Sequence, residues 1–85
     1  MRDEIIELYG NHTDDGLLFA DRLDDAIIGI CPNTLRVVYS RTKVIEIFIK
    51  DDLMTEEDAI EYAEYNTFNT YVGEQTPIWV DDLNY

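Results

Sequence analysis

The sequence predicts an α+β domain, a three-stranded, mainly antiparallel sheet with helices packed on one face, in the order α-β-β-α-α-β. Three observations carry this. Two apolar, β-branched stretches (26–31 and 35–40) flank a Pro32-Asn33-Thr34 turn, the pattern of a hairpin. The run Thr55-Glu56-Glu57-Asp58 has the capping-box form and opens a stretch of helical periodicity. Beyond the punctuation of Gly73 and Pro77, Ile78, Trp79 and Val80 read as a third strand.

Taken in order, residues 2–9 place Ile5, Ile6 and Tyr9 at helical spacing, and Gly10 stops that short helix. Residues 10–16 are turn chemistry, and Leu17, Leu18 and Phe19 follow as a short strand or a packed loop. In 26–31 the apolar run is continuous, as in a buried strand, and Gly29 within it marks a bulge or a close backbone approach. Residues 44–49 are ambiguous, because their β-branched side chains weaken helix propensity. Helix is favoured, since Val44, Ile47 and Phe48 share one face and Ser40 or Thr42 precedes them as a cap. In the next helix Ala59, Tyr62, Ala63 and Asn66 fall on one face with Ile60 beside it, and the helix fades near 67–71. The hairpin argues for antiparallel pairing; where the third strand pairs is not readable.

Eighty-five residues make one small acidic domain spanning 1–85. Nineteen Asp and Glu face six Lys and Arg, for a formal net charge of −13. The Ile, Val and Tyr content still argues for a folded chain, because disorder needs low hydrophobicity as well as charge. A lone cysteine, Cys31, forms no internal disulfide and fits a reducing cytoplasm. The acidic N-terminal residues do not read as a signal peptide, and no apolar run approaches a membrane span. Charge of this sign repels nucleic acid and membrane and attracts basic protein surfaces.

The acids are uneven. Asp51, Asp52, Glu56, Glu57, Asp58, Glu61 and Glu64 occupy 51–64 without a single base. Glu57, Glu61 and Glu64 fall at i, i+4 and i+7 and form one ridge, with carboxylates four apart spaced by about 6 Å along the axis. That approaches the phosphate spacing of a nucleic-acid strand. The plain alternative is a solvated face that keeps the protein soluble, although such faces usually mix signs. Tyr65 lies off the Ala59–Tyr62–Ala63 face, beside Glu61 and Glu64, and is the aromatic residue best suited to anchor a partner. Asn66, on the inner face, is expected to satisfy backbone groups at the helix end.

Other chemistry is sparse. Asn11, Thr13, Asp15 and Gly16 faintly resemble the start of a calcium loop, but Arg22 stands where that loop needs Glu. His12 has no second histidine with which to form a zinc site and reads as a turn residue. Cys31 ends an apolar run and is expected to be a buried, inert thiol. Ser40 is better used as a cap than as a nucleophile. The chain is therefore read as having no catalytic residues, no metal and no cofactor, and as not being an enzyme.

Several segments carry a resemblance: Asp25-Ala26-Ile27-Ile28-Gly29, Arg36-Val37-Val38-Tyr39-Ser40, Met54-Thr55-Glu56-Glu57-Asp58-Ala59, Glu64-Tyr65-Asn66, Tyr71-Val72-Gly73-Glu74 and Thr76-Pro77-Ile78. In order and spacing this set resembles small acidic proteins encoded by tailed bacteriophages, over roughly residues 17–80. The resemblance implies a source, a phage acting in a bacterial cytoplasm, and no site. Small acidic phage proteins of this kind are often inhibitors of host defence, including anti-restriction and anti-CRISPR proteins, and several have a DNA-like charge layout.

The leading expectation is thus a protein that binds a basic, nucleic-acid-handling protein and blocks it by charge mimicry. Asp51, Asp52, Glu57, Asp58, Glu61, Glu64 and Tyr65 would form the binding surface, with no direct contact to nucleic acid or membrane. The first rival is an adaptor that uses an apolar face or a sheet edge, and a homodimer stays open on that reading. The second is a small-molecule-binding or hydrolytic domain with a pocket beside paired carboxylates.

Overall fold

The computed structural model describes residues 1–10, 17–20 and 22–82. The chain folds as α1 (Arg2–Tyr9), a 3-10 turn (Asp24–Ala26), β1 (Ile27–Cys31), β2 (Arg36–Ser40), α2 (Arg41–Asp51), α3 (Glu56–Ala63), a π-helical turn (Glu64–Phe68) and β3 (Ile78–Val80). This is an α+β arrangement in the expected order. The segment 17–20 is a half-buried loop, tied to the sheet where the Ala20 N–H donates to the Tyr39 hydroxyl at 2.6 Å.

The sheet order is β1-β2-β3, with β2 central. Hairpin strands β1 and β2 pair antiparallel, and the register slips between Ile27 and Gly29, which leaves Ile28 unpaired in a bulge next to the strand glycine. The expectation of a mainly antiparallel sheet is corrected: β3 runs parallel to β2, pairing Val38 with Ile78, Tyr39 with Trp79 and Ser40 with Val80. The cause is the crossover. Helices α2 and α3 carry the chain away from the end of β2 and return it beside the start of β2, which is how parallel neighbours are connected. A hydrogen bond at each end holds the register. Arg36 Nε donates to the Thr76 carbonyl at 2.6 Å just before β3, and Ser40 Oγ donates to the Asp82 carboxylate at 2.5 Å just after it. Buried Thr76 also pins the approach, its hydroxyl accepting from Val72 N–H and donating to the Gly73 carbonyl, at a turn where Gly73 has φ 117°.

Helix α2 settles the ambiguous segment. Ser40 Oγ accepts from the Lys43 N–H at 3.2 Å, so Ser40 rather than Thr42 is the cap. Val44 and Phe48 are buried against Val37 and Tyr39, and Ile45, Ile47 and Ile49 pack around them. Burial on this scale outweighs poor propensity, which costs only tenths of a kcal/mol per residue. The helix ends at Asp51, and just beyond its cap Leu53 is exposed and in the left-handed conformation (φ 56°). Ile5, Leu23, Ala26, Ile27, Ala59 and Ala63 complete the core.

Candidate functional site

Helix α3 follows from its cap. Thr55 Oγ1 accepts from the Asp58 N–H at 3.2 Å, and Glu56, Glu57 and Asp58 fill the first turn, where carboxylates complement the positive end of the helix dipole. Its inner face is narrow. Ala59 and Ala63 are fully buried, whereas Tyr62 is 44% exposed and Asn66 lies outside the core, contrary to their expected inward placement. The small alanines form the only stripe of α3 in the core, and after Ala63 the winding becomes π-helical, which changes the phase of every later side chain. Asn66 does serve the helix end, its Nδ2 donating to the Tyr62 carbonyl at 3.2 Å. Tyr62 meets Phe48 of α2 edge-on, with ring centroids 5.2 Å apart.

All seven predicted site residues are exposed. Glu57, Asp58 and Glu61 lie on α3 itself and Glu64 begins the π turn, so the ridge is continuous in the backbone. Tyr65 is 77% exposed beside it. Asp51 and Asp52 are different: they end α2, and residues 53–55 separate them from α3. Asp52 is also partnered, since Arg22 reaches its carboxylate at 2.8 Å. At the far end of the ridge Glu64 is 3.9 Å from Arg41, whose guanidinium also stacks on Phe68 at 4.5 Å and approaches Asp81 at 3.9 Å. These are partly exposed pairs of small energetic weight. Among the described residues no ion pair involves Asp51, Glu57, Asp58 or Glu61. The uncompensated ridge therefore comes down to Glu57, Asp58 and Glu61.

Beside it runs an open groove of about 350 Å³ lined by Asp58, Glu61, Tyr62, Tyr65 and Asn66. The sequence reading missed a second depression. A cleft of about 460 Å³ lies between residues 18–20 and 22–23, α2, the π turn and β3, with Phe19, Phe48, Tyr62 and Trp79 in its walls. Trp79 is held there by Tyr39 and Phe68, at centroid distances of 4.9 and 5.5 Å. The aromatic residues were visible in the sequence, but their convergence depends on the parallel placement of β3.

Cys31 is half-buried at the end of β1, not fully enclosed as expected. Its thiol pKa is lowered, first by a hydrogen bond from the Thr34 side chain and then by one from the Thr34 backbone, because the hairpin turn folds back over the sulfur. The calcium-loop residues Asn11, Thr13, Asp15 and Gly16, and likewise His12, lie outside the described residues. Among the described residues no group of three or more His, Cys, Asp or Glu is placed to hold a metal ion, and no helix is long and apolar enough to cross a membrane. Comparison with protein-family models, with curated proteins and with solved structures finds no match to this chain.

Proposed function

We propose that this is a non-catalytic binding protein, of phage type, that occupies the nucleic-acid site of a basic protein in a bacterial cytoplasm and so inhibits it, as anti-restriction and anti-CRISPR proteins do. The observation that supports this reading is the uncompensated row Glu57, Asp58 and Glu61, exposed on a capped helix in a chain of net charge −13. Glu64, Asp51 and Asp52 extend the negative field, and Tyr65 supplies an aromatic contact at its edge. With the helices taken as one layer over one face of the sheet, α3 turns this row away from the core. Such a field accelerates encounter with a cationic groove and disfavours anionic partners.

The test is capture of the basic partner followed by competition. Binding falls steeply between about 0.05 and 0.5 M salt, as screening shortens the reach of exposed charges. Duplex DNA displaces the protein, and the triple reversal Glu57→Lys, Glu61→Lys and Glu64→Lys abolishes binding while the circular-dichroism spectrum is kept. Binding that ignores both salt and the reversal favours an adaptor working through an apolar face or a sheet edge.

A further inference from the structure

The cleft and the groove adjoin. Tyr62 and Asn66 line both, so these two side chains form a shared wall between an aromatic depression and an acidic one. The cleft, at about 460 Å³, lies in the size range of sites that enclose a bulky apolar group, and Phe19, Phe48 and Trp79 give it apolar walls. The groove holds Asp58 and Glu61, neither in an ion pair among the described residues, next to the rings of Tyr62 and Tyr65. Carboxylates and tyrosine faces together suit a guanidinium, which donates hydrogen bonds in its plane and takes ring contact on its faces.

We propose that the pair is a two-part docking site for a basic protein segment, in which an apolar side chain of Phe or Leu size enters the cleft and a neighbouring arginine lies in the groove against Asp58, Glu61 and the two tyrosines. Charge complementarity selects this occupant. A second copy of the chain would bring another −13 to the same face, and an anionic small molecule meets the same repulsion. A neutral apolar molecule fills the cleft but leaves the groove unused. The proposal rests on the charge-mimicry reading and sharpens it: the partner is held by an apolar anchor as well as by charge, so part of the affinity survives high salt.

The probe is the peptide acetyl-Phe-Arg-Arg-amide, titrated into the isotopically labelled full chain and followed by NMR. The indole N–H of Trp79, the chain's one tryptophan, reports on the cleft, and the α3 amides report on the groove. The expected result is movement of both sets. Replacing the peptide's Phe by Ala weakens binding by roughly 10-fold or more, the scale of losing one buried aromatic side chain. Thr70→Phe, which fills the cleft from an exposed position, has the same effect. If the Ala peptide binds as tightly as the parent and Trp79 does not respond, the cleft assignment is overturned while the charge reading stands. If replacing both arginines by Gln leaves binding unchanged, the charge reading fails and takes the proposal with it. Absence of any shift up to about 10 mM peptide, beyond the weakest useful affinities, also overturns the two-part site.

Discussion

Helices α2 and α3 are neighbours made in opposite ways. Helix α2 is eleven residues with a weak β-branched stretch at its centre, capped by a buried serine and secured by Val44, Phe48 and flanking isoleucines. Three of the six basic residues of the chain lie on it: Arg41, Lys43 and Lys50. Helix α3 is eight residues, half of them acids, and it buries only two alanines. Local propensity and capping sustain α3, whereas tertiary packing sustains α2. Most of the apolar packing is thus held on α2 and the densest run of acids on α3, which adds only Ala59 and Ala63 to the core.

Truncation should expose this division most strongly. Phe48 is 6% exposed and touches both helices, so Phe48→Ala costs about 3 to 5 kcal/mol in urea unfolding, whereas Ile60→Ala on the outer side of α3 costs under about 1 kcal/mol. Equal losses would break the comparison. The two caps give a smaller contrast. Ser40 serves both the α2 N-terminus and Asp82 beyond β3, so Ser40→Ala costs about 2 kcal/mol; Thr55 serves α3 alone in an exposed position, and Thr55→Ala costs about 1 kcal/mol.

The core beneath α2 also carries a pH signature. Burial, opposed by the Ala20 hydrogen bond, raises the Tyr39 hydroxyl above its usual 10. The folded state thus holds this proton more tightly than the unfolded chain does. The stability this tyrosine contributes is complete below about pH 10 and is lost as pH rises past it, because the unfolded state ionises first. Tyr39→Phe removes that tyrosine's share of the alkaline loss, at a cost of about 1 kcal/mol at neutral pH for the bond to Ala20. Alkaline titrations of wild type and variant, followed by circular dichroism, measure the difference. The smallest effect belongs to α3. Glu57 and Glu61 are like charges four residues apart, and Glu61 lies beyond the first turn, so Glu61→Gln relieves the repulsion without removing a first-turn carboxylate; it raises stability by about 0.2 to 0.5 kcal/mol, and added salt shrinks the gain. A loss of stability on this neutralisation would mean that the ridge helps to hold the fold.

Much of this was legible along the chain because the signals are local. Ser40 and Thr55 as caps, the 32–35 turn, the bulge next to Gly29 and the run of acids each depend on residues within one turn or one strand of each other, and each appears where its chemistry put it. The exposure of Glu57, Asp58 and Glu61 follows from the same periodicity that buries Ala59 and Ala63. What the linear order could not supply involves distant partners. The parallel course of β3 depends on Arg36 meeting Thr76 and Ser40 meeting Asp82 across the whole crossover. The pairing of Asp52 with Arg22 and the approach of Arg41 to Glu64 narrowed the free acids, and the π turn rotated Asn66 away from its predicted face. The aromatic cleft beside α3 exists because loop, helix, π turn and strand converge there. Periodicity and capping are set by neighbours in the chain; pairing and concavity are set by which surfaces the packed core brings together.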